Sequence, residues 1–239
     1  MKYFAIEQCM NKNIVGKLPQ VKEEIHNCDI WDDPRFIDRF PYEKIEINPI
    51  LSNAILYPTA KATDFIEDSN VGFSRSMLIS DKLKTILERF NLFGIQFFST
   101  FIIQNNTSIY GYWQSHIYLQ AFQLLDFEKI NFTLKSRQDD GSVVYNDVDY
   151  IKNLNDFLMC KKETKYPVEL YFRNLVLKEQ GFDFMFLPHF INGTGKGIIS
   201  QTLKTTLENE RVTGIEFRPI EISLHDWFKT ERIKIYGKI

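Results

Sequence analysis

The chain has 239 residues, 44% hydrophobic and 25% charged, with a formal net charge of −2. These totals fit an ordinary globular protein of one large domain or two small ones and argue against a protein that grips nucleic-acid phosphates by bulk charge. The longest apolar run, 92–103, includes Gly94, Gln96, Ser99 and Thr100 and is too short to cross a bilayer.

From the N-terminus, residues 2–7 read as a short strand. The opening MKYFAIEQCMNKN has no apolar h-region, so the expectation is a cytoplasmic protein. Residues 8–48 mix acids with Lys17, Lys22, Arg35, Arg39 and Lys44, and Trp31-Asp32-Asp33-Pro34 reads as a turn. Strands are expected over 95–103 and 108–119, joined by a turn at Asn105-Asn106-Thr107. Asp139-Asp140-Gly141 signals a tight turn with Val143-Val144-Tyr145 returning. A helix is expected over 150–164, β structure over 167–177 and 182–190, and a hairpin turn at Asn192-Gly193. The tail from Trp227 is charged, and 233–236 alternates weakly. With no composition break, the chain reads as one α+β domain, 1–239, with mostly antiparallel sheet. It comprises an N-terminal segment (1–48) and two related halves (49–150 and 151–239).

Those halves rest on a repeat. Residues 79–102 and 199–222 align without a gap at an offset of 120, with eleven identities in 24 positions. The shared residues include Ser80/Ser200 at a helix N-cap position and Gly94/Gly214 where a chain leaving a helix often needs left-handed backbone. Between them Leu83, Ile86, Leu87 and Phe90 form an apolar helical stripe. The second helix has Thr206 and Glu210 in place of Ile86 and Phe90 and should lie closer to solvent. Pro219 removes a ladder donor and points to an edge or a bulge.

Reaction chemistry is hard to find. The histidines, His26, His116, His189 and His225, form no metal-binding spacing, and no GxSxG elbow is present. Cys9, Cys28 and Cys160 form neither a CxxC nor a disulfide framework. Gly193 to Gly197 departs from a phosphate-binding loop, with Phe190 and Gly197 where Gly and Ser/Thr are required. No catalytic residue, metal or cofactor is assigned, and the chain reads as a non-enzyme. The alternatives are an enzyme site near His116, Asp64 and Asp126, or a regulatory interaction module. Aromatics are abundant, with 21 Phe, 11 Tyr and three Trp, residue types enriched in protein interfaces.

The repeated ISxxLKxxL…GIxF units, TDF at 63–65, YWxxHI at 112–117 and DFEK at 126–129 together resemble a family of bacterial immunity proteins. The family is known as immunity family eleven, with a myxobacterial prototype and an earlier status as a domain of unknown function. The similarity runs from about Pro49 to Ile222. Its most specific element is Ser200, Leu203, Leu207, Thr213, Gly214 and Phe217; the first copy departs from it with Phe93 in place of Thr213. The resemblance implies a protein that neutralises the C-terminal domain of a cognate toxin by binding it. It implies no nucleic-acid or membrane partner. Against a basic nuclease, acidic loops would mimic phosphates and steer association. Asp139, Asp140, Asp147 and Asp149 are the first candidates for that contact, and Trp31, Asp32 and Asp33 the second.

Overall fold

The computed structural model describes residues 2–66, 77–138, 140–178, 181–187, 195–222 and 224–238. In chain order the elements are β1 (Tyr3–Gln8), α1 (Lys12–Val15), β2 (Val21–His26), β3 (Ser52–Leu56), β4 (Phe65–Ile66), β5 (Leu78–Ser80), α2 (Asp81–Leu87), β6 (Ile95–Gln104) and β7 (Thr107–Ile117). There follow β8 (Phe132–Arg137), β9 (Val143–Val148), α3 (Leu154–Glu163), β10 (Val168–Phe172), β11 (Phe184–Leu187), β12 (Lys196–Ser200), α4 (Gln201–Asn209) and β13 (Ile215–Pro219). The tail is helical: α5 (Leu224–Asp226), a π-helical turn (Trp227–Glu231) and α6 (Arg232–Tyr236). The strands form a large sheet, β2-β3-β6-β7-β5-β4, a central sheet, β11-β12-β1-β13, and a small sheet, β10-β8-β9. Among the named strands of the described residues only the β3–β6 pairing is parallel, so the fold is α+β with mainly antiparallel sheet, as expected.

Strand alternation makes the central sheet the shared wall of two cores. Ile6, Phe184, Phe186, Ile199, Ile215 and Phe217 face a core with Ile79, Leu83, Leu87, Leu203 and Leu207. Their strand neighbours Ala5, Met185, Leu187 and Ile198 face a second core with Phe132, Phe157 and Phe172. A sheet covered on both faces needs apolar residues at successive positions, which is why 184–187 reads FMFL. Residues 30–48 close the large sheet with Ile37 and Ile45, packed beside Phe98.

Both segments of the sequence repeat fold as strand, Ser-capped helix and strand. The Ser80 and Ser200 hydroxyls accept from the Leu83 and Leu203 amides at 3.2 and 3.1 Å. Each hydroxyl also donates to an aspartate opening the strand beside it, Ser80 to Asp64 at 2.7 Å and Ser200 to Asp183 at 2.6 Å. The four-strand orders β4-β5-β7-β6 and β11-β12-β1-β13 match, and the inserted strand is β7 in one and the N-terminal β1 in the other. The aspartates also cross over: Asp64 accepts from Thr213 N at 2.8 Å, and Asp183 from Asn91 N at 3.3 Å.

Several expectations shift. Gly94 and Gly214 have φ of 68° and 90°, but they open β6 and β13 rather than cap the helices. A Cβ there would lie 2.3 Å from Leu119 Cβ or 2.1 Å from the Phe65 carbonyl, so close approach demands glycine. The helix expected from 150 begins at Leu154, where Asn153 accepts from Asp156 N at 3.0 Å. Pro219 ends β13, an edge strand, as expected. α4 buries Leu203 and Leu207, where α2 buries Leu83, Ile86 and Leu87, in keeping with its polar substitutions. The tail is corrected most: it is helical and holds Trp227 and Arg232, both 0% exposed. The Asn192-Gly193 turn lies outside the described residues.

Candidate interaction surface

The small sheet has one face on the core and one toward solvent. Phe132, Leu134, Leu170 and Phe172 face inward, and Thr133, Lys135, Tyr145, Asp147, Glu169 and Tyr171 share the outer face. On that face Lys135 reaches the Tyr171 hydroxyl at 3.4 Å and Glu169 at 3.7 Å, and Tyr171 donates to Glu169. Strand β9 runs along the edge, and all its residues except Val148 are exposed. The hairpin that launches it is closed by Gln138 N to Ser142 O at 2.9 Å, and Gly141 takes φ of 82°.

Seven exposed large hydrophobic side chains fall in one stretch: Val143, Val144, Tyr145, Tyr150, Leu158, Met159 and Tyr166. Soluble surfaces scatter such residues singly, whereas here strand, hairpin exit and helix present them within 24 positions, 143–166. Anchoring beneath them is firm. The buried Phe157 and Cys160 of α3 lie in the core with Phe132 and Val148, and the Tyr150 hydroxyl lies 3.3 Å from Cys160 Sγ. That contact, with burial, pushes the Tyr150 phenol up to about 12.

The first acidic candidates lie in the same region with different surroundings. Asp139 is outside the described residues. Asp140 caps its own turn, accepting from Ser142 N at 2.8 Å, and the Ser142 hydroxyl and amide hold its carboxyl below the usual range. Asp147 pairs with Arg173 at 2.8 Å, which offsets its charge. Asp149 is exposed, with no partner among the described residues. The second set sits elsewhere in the chain, on the 29–35 turn. Trp31 is 78% exposed there, and the Asp29 carboxylate accepts from the Trp31 and Asp32 amides. Asp33 binds the Arg35 amide at 2.8 Å, which lowers its pKa.

The residues of the alternative enzyme site make separate contacts. His116 is 8% exposed, bonds the Glu43 carbonyl through Nε2 at 2.7 Å, and is lowered in pKa by burial. A small cavity beside it is lined by Asp38, Phe40, Tyr42 and Gln114, with neither Asp64 nor Asp126. Asp64 is occupied by Ser80 and Thr213, and Asp126 by Lys129 at 2.8 Å. Among the described residues no group of three or more His, Cys, Asp or Glu could hold a metal ion, and no helix is long and apolar enough to cross a membrane.

No protein family model and no curated protein matches the chain. Its chemistry must therefore be argued from its own surface. A cluster of charges that sequence reading missed lies inside instead. Glu7 and Glu216 face each other across β1 and β13. Arg218 binds Glu7 at 2.8 Å, Lys196 binds it at 3.0 Å, and Arg232 binds Glu216 through two contacts of 2.6 Å. The alternation in IEFRP, 215–219, was the available signal, since it puts Glu216 and Arg218 on one face of a strand. Being fully paired, this cluster serves to dock the tail rather than to react. Within the stretch 143–166 the exposed side chains include phenols and Met159, types enriched at protein interfaces, with Asp147 and Asp149 nearby in sequence.

Proposed function

We propose that the chain binds and neutralises a bacterial toxin domain by direct contact, in the manner the resemblance to immunity proteins implies. The observation that carries this reading is the concentration of exposed apolar and aromatic side chains at 143–166 beside Asp140, Asp147 and Asp149. A nanomolar complex needs about −12 kcal/mol, and a typical stable interface buries ~1,600 Å². Tyr145 and Tyr166, 55% and 84% exposed, are the aromatic anchors of this reading. A basic nuclease is the toxin class best matched to the acids, and the reading puts the encounter in the cytoplasm. The protein then needs no reaction chemistry of its own.

The test is co-expression with the C-terminal domain encoded by the gene adjacent to this one, after that domain has been shown to be toxic on its own. Growth should be rescued and the two proteins should copurify. Replacing Tyr145 and Tyr166 together with Ala should weaken the complex by about 100-fold. Asp139→Ala with Asp140→Ala should slow association and reduce its salt sensitivity. A toxic domain that is neither neutralised nor bound defeats the proposal.

A further inference from the structure

The exposed sheet edges differ in how they are protected against another strand. β2 carries a bulge between Val21 and Glu23 and four ionisable side chains. β4 is two residues long, β11 is buried throughout, and β13 closes on Pro219. β10 follows Pro167 and carries Glu169. β9 is the least protected of these edges: its one charged side chain is Asp147, paired with Arg173 at 2.8 Å. Its six residues, VVYNDV, pair with β8 in unbroken register, contain no Lys or Pro, and leave five side chains exposed. An edge so open invites strand addition unless its use is to receive a strand.

Hydrogen-bond direction shows what it offers. The Asn146 carbonyl accepts from the Thr133 hydroxyl at 3.0 Å and so faces β8. Alternation then turns the N–H and C=O groups of Val143, Tyr145 and Asp147 outward. Beside them stand Tyr145 and Val143 on one face and Val144 on the other, all exposed. The charge has one sign: residues 138–151 contain Asp139, Asp140, Asp147 and Asp149 and no Lys or Arg. A second copy is a poor occupant. Antiparallel self-pairing centred on Tyr145 would set Asp149 opposite Gly141, next to Asp140 of the other copy, at both ends.

We propose that β9 is a strand-addition edge that receives an extended segment of a partner protein, alternating apolar and cationic side chains. The backbone of that segment pairs with Val143, Tyr145 and Asp147. Its apolar residues, all on one face, cover Tyr145 and Val143, and its cations meet the acids flanking the strand. This rests on the reading of the chain as a contact protein and supplies the mode of contact.

Tyr145→Pro deletes one outward N–H and leaves the bonds to β8 intact, since an edge proline facing solvent is tolerated. Tyr145→Ala removes the phenol but keeps the donor. The 239-residue chain would be titrated with the adjacent gene's C-terminal domain, if toxic, and, separately, with a synthetic ten-residue peptide of alternating Val and Lys and its N-methylated form. Amide exchange is followed throughout. Strand addition predicts slowed exchange at Val143, Tyr145 and Asp147 in the complex. It also predicts about tenfold weaker binding for Tyr145→Pro than for Tyr145→Ala, and no binding of the N-methylated peptide. Equal affinity of the Pro and Ala variants, both folded by circular dichroism, overturns it while leaving toxin binding standing. If the toxin domain does not bind at all, the immunity reading falls, and the peptide alone decides: no protection at those three amides overturns the edge as well. Protection that appears without any partner and grows with protein concentration would assign the edge to self-pairing and overturn the proposed occupant.

Discussion

At the scale of single residues, the best-connected surface-proximal side chain is Asp64. It accepts from the Ser80 hydroxyl and from the amide and hydroxyl of Thr213, and lies 3.7 Å from Lys82 Nζ. Asp183 holds Ser200 equally well but meets Asn91 N only at 3.3 Å. Hydrogen bonds to a charged group contribute about 1.5–3 kcal/mol. Asp64→Ala should therefore cost about 3 kcal/mol in urea denaturation, and Asp183→Ala about 1.5 kcal/mol. Equal losses would mean that the Thr213 bonds contribute nothing. Glu24 makes a pH-dependent case. Burial, with Asp38 nearby, raises its carboxyl from 4.5 to about 7, and its Oε2 lies 3.8 Å from His26 Nδ1. A folded pKa above the unfolded one favours the folded state most below about pH 4.5, and that benefit is lost as pH rises through about 7. Glu24→Gln should match the parent at pH 4 and be more stable at pH 8, on the order of 2 kcal/mol. Denaturation curves at the two pH values check it; a variant weaker at pH 8 would show the carboxylate to be well solvated.

Among elements, the tail is tied to β13 by a buried ion pair and by the Phe217 amide, which donates to the Tyr236 hydroxyl at 3.0 Å. Arg232 binds both oxygens of Glu216 and donates to the Gly237 carbonyl at 2.9 Å, with Trp227 buried beside it. The unpaired Glu216 left by Arg232→Met would face Glu7 directly across the ladder. The expected cost is about 3–5 kcal/mol, with early proteolytic cleavage in 224–238. Adding Glu216→Leu should restore most of it, because an apolar pair avoids the buried charge. Failure of the double variant to recover would show that the arginine holds the tail by some contact other than Glu216. The repeated helices were legible at this scale. Ser at the cap and Leu three and seven residues on are local signals, and both helices form where they occur. The tail helix was not legible, because the strand-like alternation at 233–236 is overridden by docking of Trp227 and Arg232.

For the molecule as a whole, the central sheet governs cooperativity. Its strands supply one face to each of two cores, so neither core can open without breaking the other's wall. Single-tryptophan chains keeping only Trp113, on the large sheet, or only Trp227, in the tail, should unfold with coincident urea midpoints. Distinct midpoints would instead show two independently stable units. The same architecture leaves β9 outermost in the small sheet, so a strand added there, as proposed, would extend the sheet without entering either core.

What the amino-acid order determined alone was local: the Ser caps, the hairpin turn at Asp140-Gly141, the edge placement of Pro219 and the α+β class. Each depends on neighbours within a few positions, where propensity and capping act directly. The tertiary structure decided the rest. β1 joins β12 and β13, strands that follow it by roughly 190 to 215 residues. Glu216 gains its arginine from the tail, and the acids at 140–149 divide into one paired with Arg173, one closing its own turn and one open to solvent. Such outcomes depend on which distant groups a compact chain brings together, and desolvation then fixes which charges must be paired and which remain available for contact.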